Sequence, residues 1–589
     1  MTDYFEVHDR DGPARLAELR LDDPVTTPAL ADDVLVDAGS RWSDAVDVPD
    51  GGTDQVTVLP HRGFPRGTDA AVQDAFAVDY PDLDVPSAAV VTPETAADHG
   101  ADAYVLSGAP GYSGHARALL SAVVAVRDAV PPDAALALSG VATPRNVATL
   151  TYAGVDLFDA DRAVVAGTRG RYLTTDGDRD LADLADGHAL PCACPVCRDA
   201  EGGLDPEACA AHNQHALAAE LARVRTRIRE GRLRDYVEGQ ARQAPWLTAL
   251  LRRLDDRWDY VEARTPLVRD AEMDATTEDA LRRPAVRRFA DRVTSRYRER
   301  FGDVPLLLVP CSARKPYSDS RSHRRFQDGA SYRAHVVSMT SPIGVVPTEL
   351  ELTYPAQHYD AAVSGRWSET ELDFVAAVLS RYLDRTDYAR VVAHVPTEGY
   401  REVVERATAD RDLPVTDTVG PDDHPTDDAA IAALDDALAG ERTVRVEERE
   451  RNTLKAVADY QFGAGAGDVL FDDLQLRGRH PSLVALDGDG EQLAALVPEY
   501  GTLALTLRGA RRWRDRDVPT LSVGIDDFVP KGSVLAPGVV DADDAIRVGD
   551  EVLVEGPSAV AIGRAAMRGA EMRQSTRGVA VDVRHSDAR

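Results

Sequence analysis

The sequence predicts an α/β protein of several domains, and three observations support that fold class. Apolar, strand-like runs alternate with helix-like segments through residues 1–190 and again through residues 301–445, a pattern typical of βα units and a parallel sheet. The length of 589 residues accommodates roughly three to five domains of ordinary size. After residue 511, short strands separated by glycine and proline turns indicate a compact β-rich module.

The elements of the first α/β region are predicted from its apolar runs. Strands are expected at residues 88–91, 104–106 and 135–139, and helices at residues 92–99, 116–130 and from residue 144 onward. The next region, residues 210–300, is arginine-rich and helical. Its helices are expected to break at Pro245 and Pro284, because proline lacks the backbone N–H that a helix needs to continue through it.

The second α/β region has predicted strands at residues 304–309 and 391–395, and predicted helices at residues 369–383 and 427–438. The first of these strands should end at Pro310, since proline cannot donate to a strand ladder. Together these segments predict four domains, at residues 1–275, 276–445, 446–510 and 511–589.

The charge balance is strongly acidic, with a formal net charge of -32. Disorder does not explain it, because 44% of the residues are hydrophobic and the carboxylates are spread through periodic segments. Adaptation to a salt-rich cytoplasm explains the acidic charge, because molar salt shortens the Debye length to about 3 Å and screens the repulsion between carboxylates. The chain has neither a run of about 18 apolar residues nor signal-peptide character at its start. We therefore expect a soluble, cytoplasmic protein without a membrane segment.

Residues 310–323, PCSARKPYSDSRSH, carry the densest set of reactive side chains. Lysine occurs only at Lys315, Lys455 and Lys531, and one of these lies in this segment. The segment also contains Cys311, Tyr317, Ser320 and His323. Open α/β sheets usually place their chemistry at the carboxyl ends of strands, where this segment is expected to lie. The alternatives are a solvated basic loop, a phosphate-binding loop and, for the cysteine alone, a small buried hydrophobe.

Three of the five cysteines lie in residues 191–197, PCACPVC, too close together to be three disulfide half-partners. With one histidine they form a Cys3His set suited to tetrahedral zinc: Cys192, Cys194, Cys197 and His212. A closed site of this kind predicts structural rather than catalytic zinc. Cys209 is a rival fourth ligand and His215 a weaker one, and redox-active or plain buried cysteines are the alternative.

Basic residues are concentrated before and within the β-rich module. Because the arginine fork binds phosphate bidentately, this region is a candidate phosphate-binding surface, with Lys531, Arg511, Arg512 and Arg564 as its principal contacts. The other basic residues there are Arg508, Arg514, Arg568, Arg573 and Arg577. An ordinary halophilic surface with scattered arginines is the alternative.

Several segments resemble enzymes that modify tRNA. FEVHDRDGPARLAELRL at residues 5–21 and GVATPRNVATLTYAGVDLFDA at residues 140–160 resemble the tRNA-guanine transglycosylase barrel, and PCACPVC with His212 resembles that family's zinc site. KAVADYQFGAGAGDVLF at residues 455–471 resembles the C-terminal part of archaeal transglycosylases. Residues 531–585 resemble a PUA domain, a small RNA-binding β-barrel, which implies that the phosphate contacted by Lys531, Arg511, Arg512 and Arg564 is that of RNA. The resemblance implies a TIM-barrel-like domain, a Rossmann-like α/β insert, a small α+β domain and a PUA domain.

The sequence also departs from the transglycosylase pattern. Transglycosylases carry an Asp-Ser-Gly motif early in the barrel, where this chain reads LPHRGFPRG at residues 59–67. Asp159 matches the position of the family's nucleophile. A base exchange that relies on two carboxylates is in doubt when only one is present. The sequence therefore favours Asp159 as a strand-end carboxylate that caps a loop, and we place it with the substrate-binding residues.

PCSARKPYSDSRSH resembles the archaeosine synthases, a paralogous family that acts after base exchange. The resemblance implies addition of an amine to the nitrile of 7-cyano-7-deazaguanine at position 15 in the tRNA D-loop. The implied donor is free lysine, with glutamine or ammonia in an older description, and the implied partner is a radical-SAM subunit. A homodimer is left open. The alternatives are an active transglycosylase, a non-catalytic tRNA-binding subunit and a uracil-glycosylase-like enzyme.

The residue types suggest a mechanism for that reaction. A Cys311 thiolate would add to the nitrile carbon and give a thioimidate, which divides one hard step into two. Lys315 and the nearby arginines would favour the thiolate form. His323 would move the proton at the nitrile nitrogen, because imidazole titrates near neutral pH. Tyr317 and Ser320 would orient the base.

A competing interpretation assigns the same loop to phosphate binding. Lys315 and Arg321 would then hold the tRNA backbone, and the chemistry would lie elsewhere, at His358 in YPAQHYD.

Overall fold

The computed structural model describes residues 2–37, 52–59, 61, 68–75, 85–184, 190–200, 203–362 and 366–589. The chain divides into two compact units. The first contains Met1–Pro266, Leu535–Val539 and Met567–Ala580, and the second contains Leu267–Val534, Val540–Ala566 and Val581–Arg589. Among the described helices, none is long and apolar enough to cross a membrane.

Parallel strands form the centre of the first unit. The strands of residues 1–266 are β1 (Phe5–Asp11), β2 (Ala14–Leu19), β3 (Val25–Thr27), β4 (Ala29–Leu30), β5 (Leu35–Asp37), β6 (Val56–Val58), β7 (Ser87–Val91), β8 (Ala103–Leu106), β9 (Ala135–Leu138), β10 (Leu157–Phe158), β11 (Arg171–Leu173) and β12 (Asp178–Asp180). Seven of them form one parallel sheet in the order β4-β10-β9-β8-β7-β6-β5. Its end strands, β4 and β5, are consecutive in the chain, which is the order of a TIM-like barrel opened between them.

The helices of this region are α1 (Ala70–Ala75), α2 (Ala116–Ala129), α3 (Val147–Tyr152), α4 (Asp161–Thr168), α5 (Pro195–Arg198), α6 (Pro206–Arg229), α7 (Leu233–Gln240), α8 (Pro245–Asp255) and α9 (Trp258–Arg264). Pro245 is the first residue of α8, as expected for a residue that starts a helix but cannot continue one. The helix predicted at residues 92–99 is wrong, since these residues form turns.

The remaining strands are β13 (Met273–Ala275), β14 (Leu306–Pro310), β15 (His335–Thr340), β16 (Gly344–Pro347), β17 (Tyr359–Ala361), β18 (Val391–Ala393), β19 (Val415–Asp417), β20 (Gln475–Arg479), β21 (Ser482–Leu486), β22 (Gln492–Val497), β23 (Thr502–Leu505), β24 (Ser522–Ile525), β25 (Ser533–Leu535), β26 (Val539–Ala542), β27 (Glu551–Glu555), β28 (Ala559–Ala565) and β29 (Val579–Ala588). The remaining helices are α10 (Pro284–Ser295), α11 (Arg321–Ala330), α12 (Glu369–Leu383), α13 (Tyr400–Thr408), α14 (Asp428–Ala437), α15 (Val446–Phe462), α16 (Ala466–Leu470), α17 (Leu507–Asp515) and α18 (Gly569–Gln574).

A five-stranded sheet in the order β16-β15-β14-β18-β19 forms the centre of the α/β part of the second unit. The strand order reverses at β14, because the chain adds β15 on one side of it and later β18 on the other. β14, β15, β18 and β19 are parallel, so their carboxyl ends meet at one edge. The α/β fold class predicted from the sequence is confirmed.

Antiparallel strands dominate the C-terminal region. β20 to β23 form a four-stranded antiparallel sheet, and β24 to β29 form a six-stranded sheet in the order β25-β29-β28-β27-β24-β26. The predicted β-rich module is therefore present, although its first strand begins at Ser522, after the helix α17.

Candidate active site and metal centre

Cys311 follows the central strand β14 at the edge where the parallel strands end. Its backbone N–H donates to the carbonyl of Met339 at 3.1 Å, which continues the ladder between β14 and β15 for one residue. Pro310 is thus the last residue of β14 and pairs with Met339. The thiol lies where the strand order reverses, which is the usual place for a ligand site in an open α/β sheet.

A tyrosine hydroxyl from the helix that follows β18 lies beside the thiol. Tyr400 is the first residue of α13, the helix that follows β18, and its hydroxyl lies 3.3 Å from Cys311 Sγ. Gly399 precedes it with φ of 69°, a backbone conformation that favours glycine. Burial, followed by the neighbouring Cys311, raises the pKa of Tyr400. The hydroxyl therefore stays protonated near neutral pH and can donate a hydrogen bond at this position.

Three further hydroxyls form a hydrogen-bonded chain that includes Tyr317 of the same segment. The Tyr317 and Tyr359 hydroxyls lie 2.7 Å apart, and the Tyr359 hydroxyl lies 2.7 Å from Thr340 Oγ1 at the end of β15. Both tyrosines are buried, and that burial raises the pKa of each. The site is thus lined by protonated hydroxyls in a continuous chain.

Lys315 lies over this chain of hydroxyls. Its Nζ is 3.9 Å from the centre of the Tyr359 ring, which is the geometry of a cation–π contact. Burial lowers the pKa of Lys315, and the neighbouring Cys311 opposes that shift. An amine of this kind can release its proton more readily than an ordinary lysine.

The imidazole of His323 is built into the fold. Its Nε2 donates to the Pro310 carbonyl at 3.0 Å, and its ring stacks on Tyr317. Burial lowers the pKa of His323 to about 4. A lowered pKa favours the neutral imidazole at neutral pH, whereas the predicted proton transfer relies on a side chain that titrates there. Ser320 is the N-cap of α11, since its hydroxyl accepts the backbone N–H of His323 at 3.1 Å.

Arg321 and His358 are less enclosed. Arg321 is exposed at the start of α11. His358 is half-buried, burial lowers its pKa, and its Nδ1 has no hydrogen-bond partner among the described residues. It directly precedes Tyr359 of the hydroxyl chain.

Asp159 follows strand β10 in the first unit. Both of its carboxylate oxygens lie 2.9 Å from the backbone nitrogen of Gly140, so the carboxylate accepts that N–H. This contact agrees with a carboxylate that caps a loop at a strand end. Most of LPHRGFPRG, where transglycosylases have their second carboxylate, lies outside the described residues.

Cys192, Cys194, Cys197 and His212 converge on one point. Their ligand atoms all lie within 4.8 Å of one another, with His212 Nδ1 3.2 Å from Cys197 Sγ and 3.6 Å from Cys194 Sγ. Three thiol groups and one imidazole form a donor set that can hold a metal ion and fits the ligand preference of zinc.

The surroundings of His212 fix which nitrogen faces the cysteines. Its Nε2 donates to the Leu173 carbonyl at 3.0 Å, which leaves Nδ1 as the ligand atom. The ring also stacks on Tyr172 at a centroid distance of 3.7 Å. The rival ligands are not in the cluster: the Cys209 thiol donates to the Arg171 carbonyl, and His215 is exposed.

The helix that carries His212 is anchored to the barrel. Asn213, fully buried on α6, accepts the Leu173 N–H and donates to the carbonyls of Ala163 and Arg171. Gly167 on α4 lies so close to Ala210 of α6 that a Cβ at this position would clash with the backbone. These contacts fix the position of His212 beside the three cysteines.

The candidate RNA-binding arginines differ in their surroundings. The four arginines of α17 all form ion pairs: Arg508 with Asp489 at 2.8 Å, Arg511 with Asp587 at 2.7 Å, Arg512 with Asp473 at 2.5 Å, and Arg514 with Asp515 at 2.7 Å. Lys531 is exposed. The guanidinium of Arg564 lies 4.7 Å from the centre of the Tyr500 ring.

Sequence reasoning missed three residues that line the site: Tyr400, Tyr359 and Thr340. Tyr400 does have a local signal, because Gly399-Tyr400 follows a predicted strand and starts a helix. Tyr359 and Thr340 have no such signal, since only the folded chain brings them to the Cys311 loop (residues 310–323).

Comparison with protein families gives four matches. Residues 80–245 match the family described as queuine tRNA-ribosyltransferase, and residues 286–438 match a domain of unknown function, DUF5591. Residues 452–519 match the patch-forming domain C2 of tRNA-guanine transglycosylase, and residues 520–586 match the PUA domain.

Relatives with curated names match over most of the chain. An archaeosine synthase of Haloferax volcanii is 58% identical over 100% of both chains. An archaeosine synthase subunit alpha of Methanosarcina acetivorans is 40% identical over 99% of both. A tRNA-guanine(15) transglycosylase of Methanothermobacter thermautotrophicus is 30% identical over 80% of this chain and 68% of its own. The Haloferax source of the first relative agrees with the salt-adapted composition.

Proposed function

This chain belongs to the archaeosine synthase family, and from that premise we propose that it adds an amine to a nitrile on tRNA. The substrate is tRNA that carries 7-cyano-7-deazaguanine at position 15 of the D-loop, and the product is an amidine on the path to archaeosine. One observation supports placing the reaction at Cys311: its thiol lies 3.3 Å from the Tyr400 hydroxyl at the carboxyl edge of the sheet.

Cys311 acts as the nucleophile. Its sulfur forms a bond to the nitrile carbon while the nitrile nitrogen gains a proton, which gives a thioimidate. The amine of the donor then attacks the same carbon, the carbon–sulfur bond breaks and the amine loses a proton. The thiolate is regenerated and the product is an amidine, so the reaction needs no oxidant or reductant.

Tyr400 and Lys315 provide proton transfer and positive charge in these two steps. Tyr400 donates its proton to the nitrile nitrogen as negative charge develops on that nitrogen. It can do so because its hydroxyl is protonated and lies beside the sulfur. Lys315 in its ammonium form supplies positive charge near the thiolate. The oxygen of Tyr400, which has given its proton to the nitrile nitrogen, accepts the proton that the attacking amine loses.

Three residues of the same loop position these groups. Ser320 caps α11, His323 holds the Pro310 carbonyl, and Tyr317 links the loop to Tyr359. We therefore assign His323 a positioning role, because a neutral imidazole that already donates to a carbonyl has little capacity to exchange a proton with substrate.

Substrate contacts are assigned to residues around the two sites. Arg321 and His358 face the tRNA near Cys311, and Asp159 contacts it at the barrel. Lys531 and Arg564 contact the RNA backbone through the PUA domain, whereas Arg511 and Arg512 contribute only by exchanging their carboxylate partners for phosphate. The four domains of the sequence prediction, with boundaries at residues 275, 445 and 510, are retained as a proposal.

Free lysine is the proposed donor, and a radical-SAM partner subunit is proposed to cleave the adduct. The name of the Methanosarcina relative, subunit alpha, supports the existence of a second subunit. Because its substrate is tRNA, the protein works in the cytoplasm. The metal held by Cys192, Cys194, Cys197 and His212 is proposed to be structural zinc, which would join residues 192–197 to α6 and supply no step of the reaction.

Nucleoside mass spectrometry tests the function. Purified protein is incubated with cyano-modified tRNA and lysine, and the tRNA is then digested to nucleosides. The proposal predicts that the cyano nucleoside gains the mass of one lysine. Recovery of the unchanged cyano nucleoside would contradict it, and release of the base with guanine incorporated would identify a transglycosylase.

A further inference from the structure

A cavity of about 350 Å³ borders the Cys311 loop in the second unit. Ser318 and His323 of that loop line it, together with residues of α15 and of the segment that follows β16. Its volume is in the range of small-molecule sites. The function proposed above assigns no role to it.

One wall of the cavity carries a buried carboxylate with few partners. Glu351 is only 4% exposed, and one of its oxygens accepts the Ser318 N–H at 2.9 Å. The imidazole of His480 lies 4.0 Å from its other oxygen, beyond hydrogen-bond distance. No lysine or arginine of the described chain forms an ion pair with it. Burial raises the pKa of Glu351 to about 7. Such a carboxylate gains from a cationic ligand that supplies several donors.

A second acceptor and an unpaired cation line the same cavity. The buried Oε1 of Gln327 has no hydrogen-bond partner within the described part of the chain. Arg449 lies with its guanidinium 3.8 Å from the centre of the Tyr332 ring, and across the described ranges it forms no ion pair. Its Nε is also buried without a partner there. An unpaired guanidinium of this kind is a receptor for carboxylate.

Two other buried acidic groups of the wall already have partners. Glu349 accepts from His335 at 2.9 Å, and Glu450 forms an ion pair with Arg479 at 3.1 Å. Of the remaining charged groups of the lining, Arg324 pairs with Asp319 at 3.5 Å and Asp328 is exposed. The carboxylate and the guanidinium that remain, Glu351 and Arg449, are buried or half-buried and form no ion pair with lysine, arginine, aspartate or glutamate among the described residues.

We propose that this cavity binds a free amino acid, with an ammonium group held by Glu351 and Gln327 and the carboxylate held by Arg449. Phe301, Val336 and Val444 provide apolar wall for the methylene groups of a long side chain. This cavity is thus a binding site for the kind of amine donor that the proposed function requires. Only the predicted effect on turnover rests on that proposed function. Binding itself requires neither tRNA nor Cys311.

The site is linked to the catalytic loop through one hydrogen bond. Glu351 accepts from Ser318, which is the neighbour of Tyr317 in the hydroxyl chain. An amino acid bound here is either the donor itself or a ligand that orders the loop. Both roles require the same contacts to the amino acid, and turnover kinetics distinguish between them.

Calorimetric titration of the full chain with L-lysine, without tRNA, tests the proposal. We expect saturable binding to the wild type and a loss of about tenfold to a hundredfold in affinity for Glu351→Gln and for Arg449→Gln, since each removes a charged hydrogen-bond partner. Glu351→Gln keeps an acceptor for Ser318 N–H, which protects the fold. Glu447→Gln and Arg451→Gln, at exposed positions of α15, are matched controls that should bind like the wild type.

Cadaverine, which lacks the carboxylate, makes the test specific. Its affinity should fall in Glu351→Gln but should not change in Arg449→Gln, because the ligand has no group for that arginine. Gln327→Met adds a third variant that breaks no hydrogen bond of the described chain and should weaken lysine binding. Absence of saturable lysine binding to the wild type, or equal affinity in all three variants, would overturn the proposal.

Turnover measurements separate this proposal from the proposed function. Cys311→Ala should bind lysine like the wild type, whether or not Cys311 is the nucleophile. In Glu351→Gln, a raised KM for lysine identifies the bound amino acid as the donor, and a lowered kcat at saturating lysine identifies a loop-ordering ligand. Unchanged KM and kcat in that variant would count against the site.

Discussion

The Cys311 thiol and the Tyr400 hydroxyl lie 3.3 Å apart although 89 positions separate them in the chain. Two neighbouring parallel strands produce this proximity, because Cys311 follows β14 and Tyr400 begins the helix after β18. The pair places a thiol and a protonated hydroxyl at the point where the strand order reverses. It is the basis of the catalytic assignment.

Tyr400→Phe tests the donor. The variant keeps the aromatic ring and removes the hydroxyl beside Cys311 Sγ, so kcat should fall by about 10²-fold or more while the affinity for tRNA is retained. Single-turnover kinetics with cyano-modified tRNA measure the effect. Tyr382→Phe, which deletes another buried hydroxyl of the same unit, 2.9 Å from the Tyr388 hydroxyl, is the control. Equal losses in both variants would reduce Tyr400 to a packing residue.

His323 should make stability depend on pH. Its pKa is about 4 in the folded protein against an ordinary value of 6.5. Between these values the unfolded chain takes up a proton that the folded protein does not, so the free energy of unfolding falls as the pH decreases from 6.5 to 4. The contribution is about 3 kcal/mol.

Urea unfolding of wild type and His323→Gln at several pH values measures this contribution. The difference in stability between the two proteins should shrink as the pH falls through this window. His424→Gln, at an exposed position, is the control. A constant difference between wild type and His323→Gln would show that the imidazole is not buried in neutral form.

The metal centre predicts different outcomes for two cysteines. Cys194→Ser should lose the bound metal and lower the melting temperature, because the binding free energy of a structural site also stabilises the fold. Cys209→Ser should keep the metal, since the Cys209 thiol contacts the Arg171 carbonyl instead of the cluster. Elemental analysis and thermal unfolding measure both effects. Metal retained by Cys194→Ser, or lost by Cys209→Ser, would contradict the ligand assignment.

Lys531 and Arg512 should differ in what they contribute. Lys531→Gln should weaken tRNA binding and reduce the dependence of log affinity on log salt by about one unit, as expected for the loss of one phosphate contact. Arg512→Gln should mainly lower stability, by up to about 1 kcal/mol, because it breaks the ion pair with Asp473. Filter binding across a salt series measures the first effect. A larger loss of affinity in Arg512→Gln than in Lys531→Gln would reverse the assignment.

The sequence predicted elements well where local signals were strong. The helix predicted at residues 369–383 is α12, which begins with a capping box formed by Ser368 and Glu371. The helix predicted at residues 92–99 is absent for a local reason as well. The Thr92 N–H donates to Thr95 Oγ1, a side-chain contact that competes with helix formation.

The candidate sites divide in the same way. The Cys3His cluster was predicted because three of its four members lie within six residues. Tyr359 and Thr340 were not, since their hydroxyls meet only where the fold brings together β17 and β15, which belong to different sheets. The roles of the α17 arginines could not be predicted, because an acidic chain offers many carboxylates and only the fold determines which of them form ion pairs.

The most direct test of the account is a search for the covalent intermediate. Wild-type protein is mixed with cyano-modified tRNA without an amine donor, and the products are examined by intact-protein mass spectrometry. The account predicts a covalent RNA–protein species that is present in wild type and in the thiol control Cys209→Ser, and absent in Cys311→Ala. Full amidine formation by Cys311→Ala once lysine is added would contradict the account, because the amine would then attack the nitrile directly.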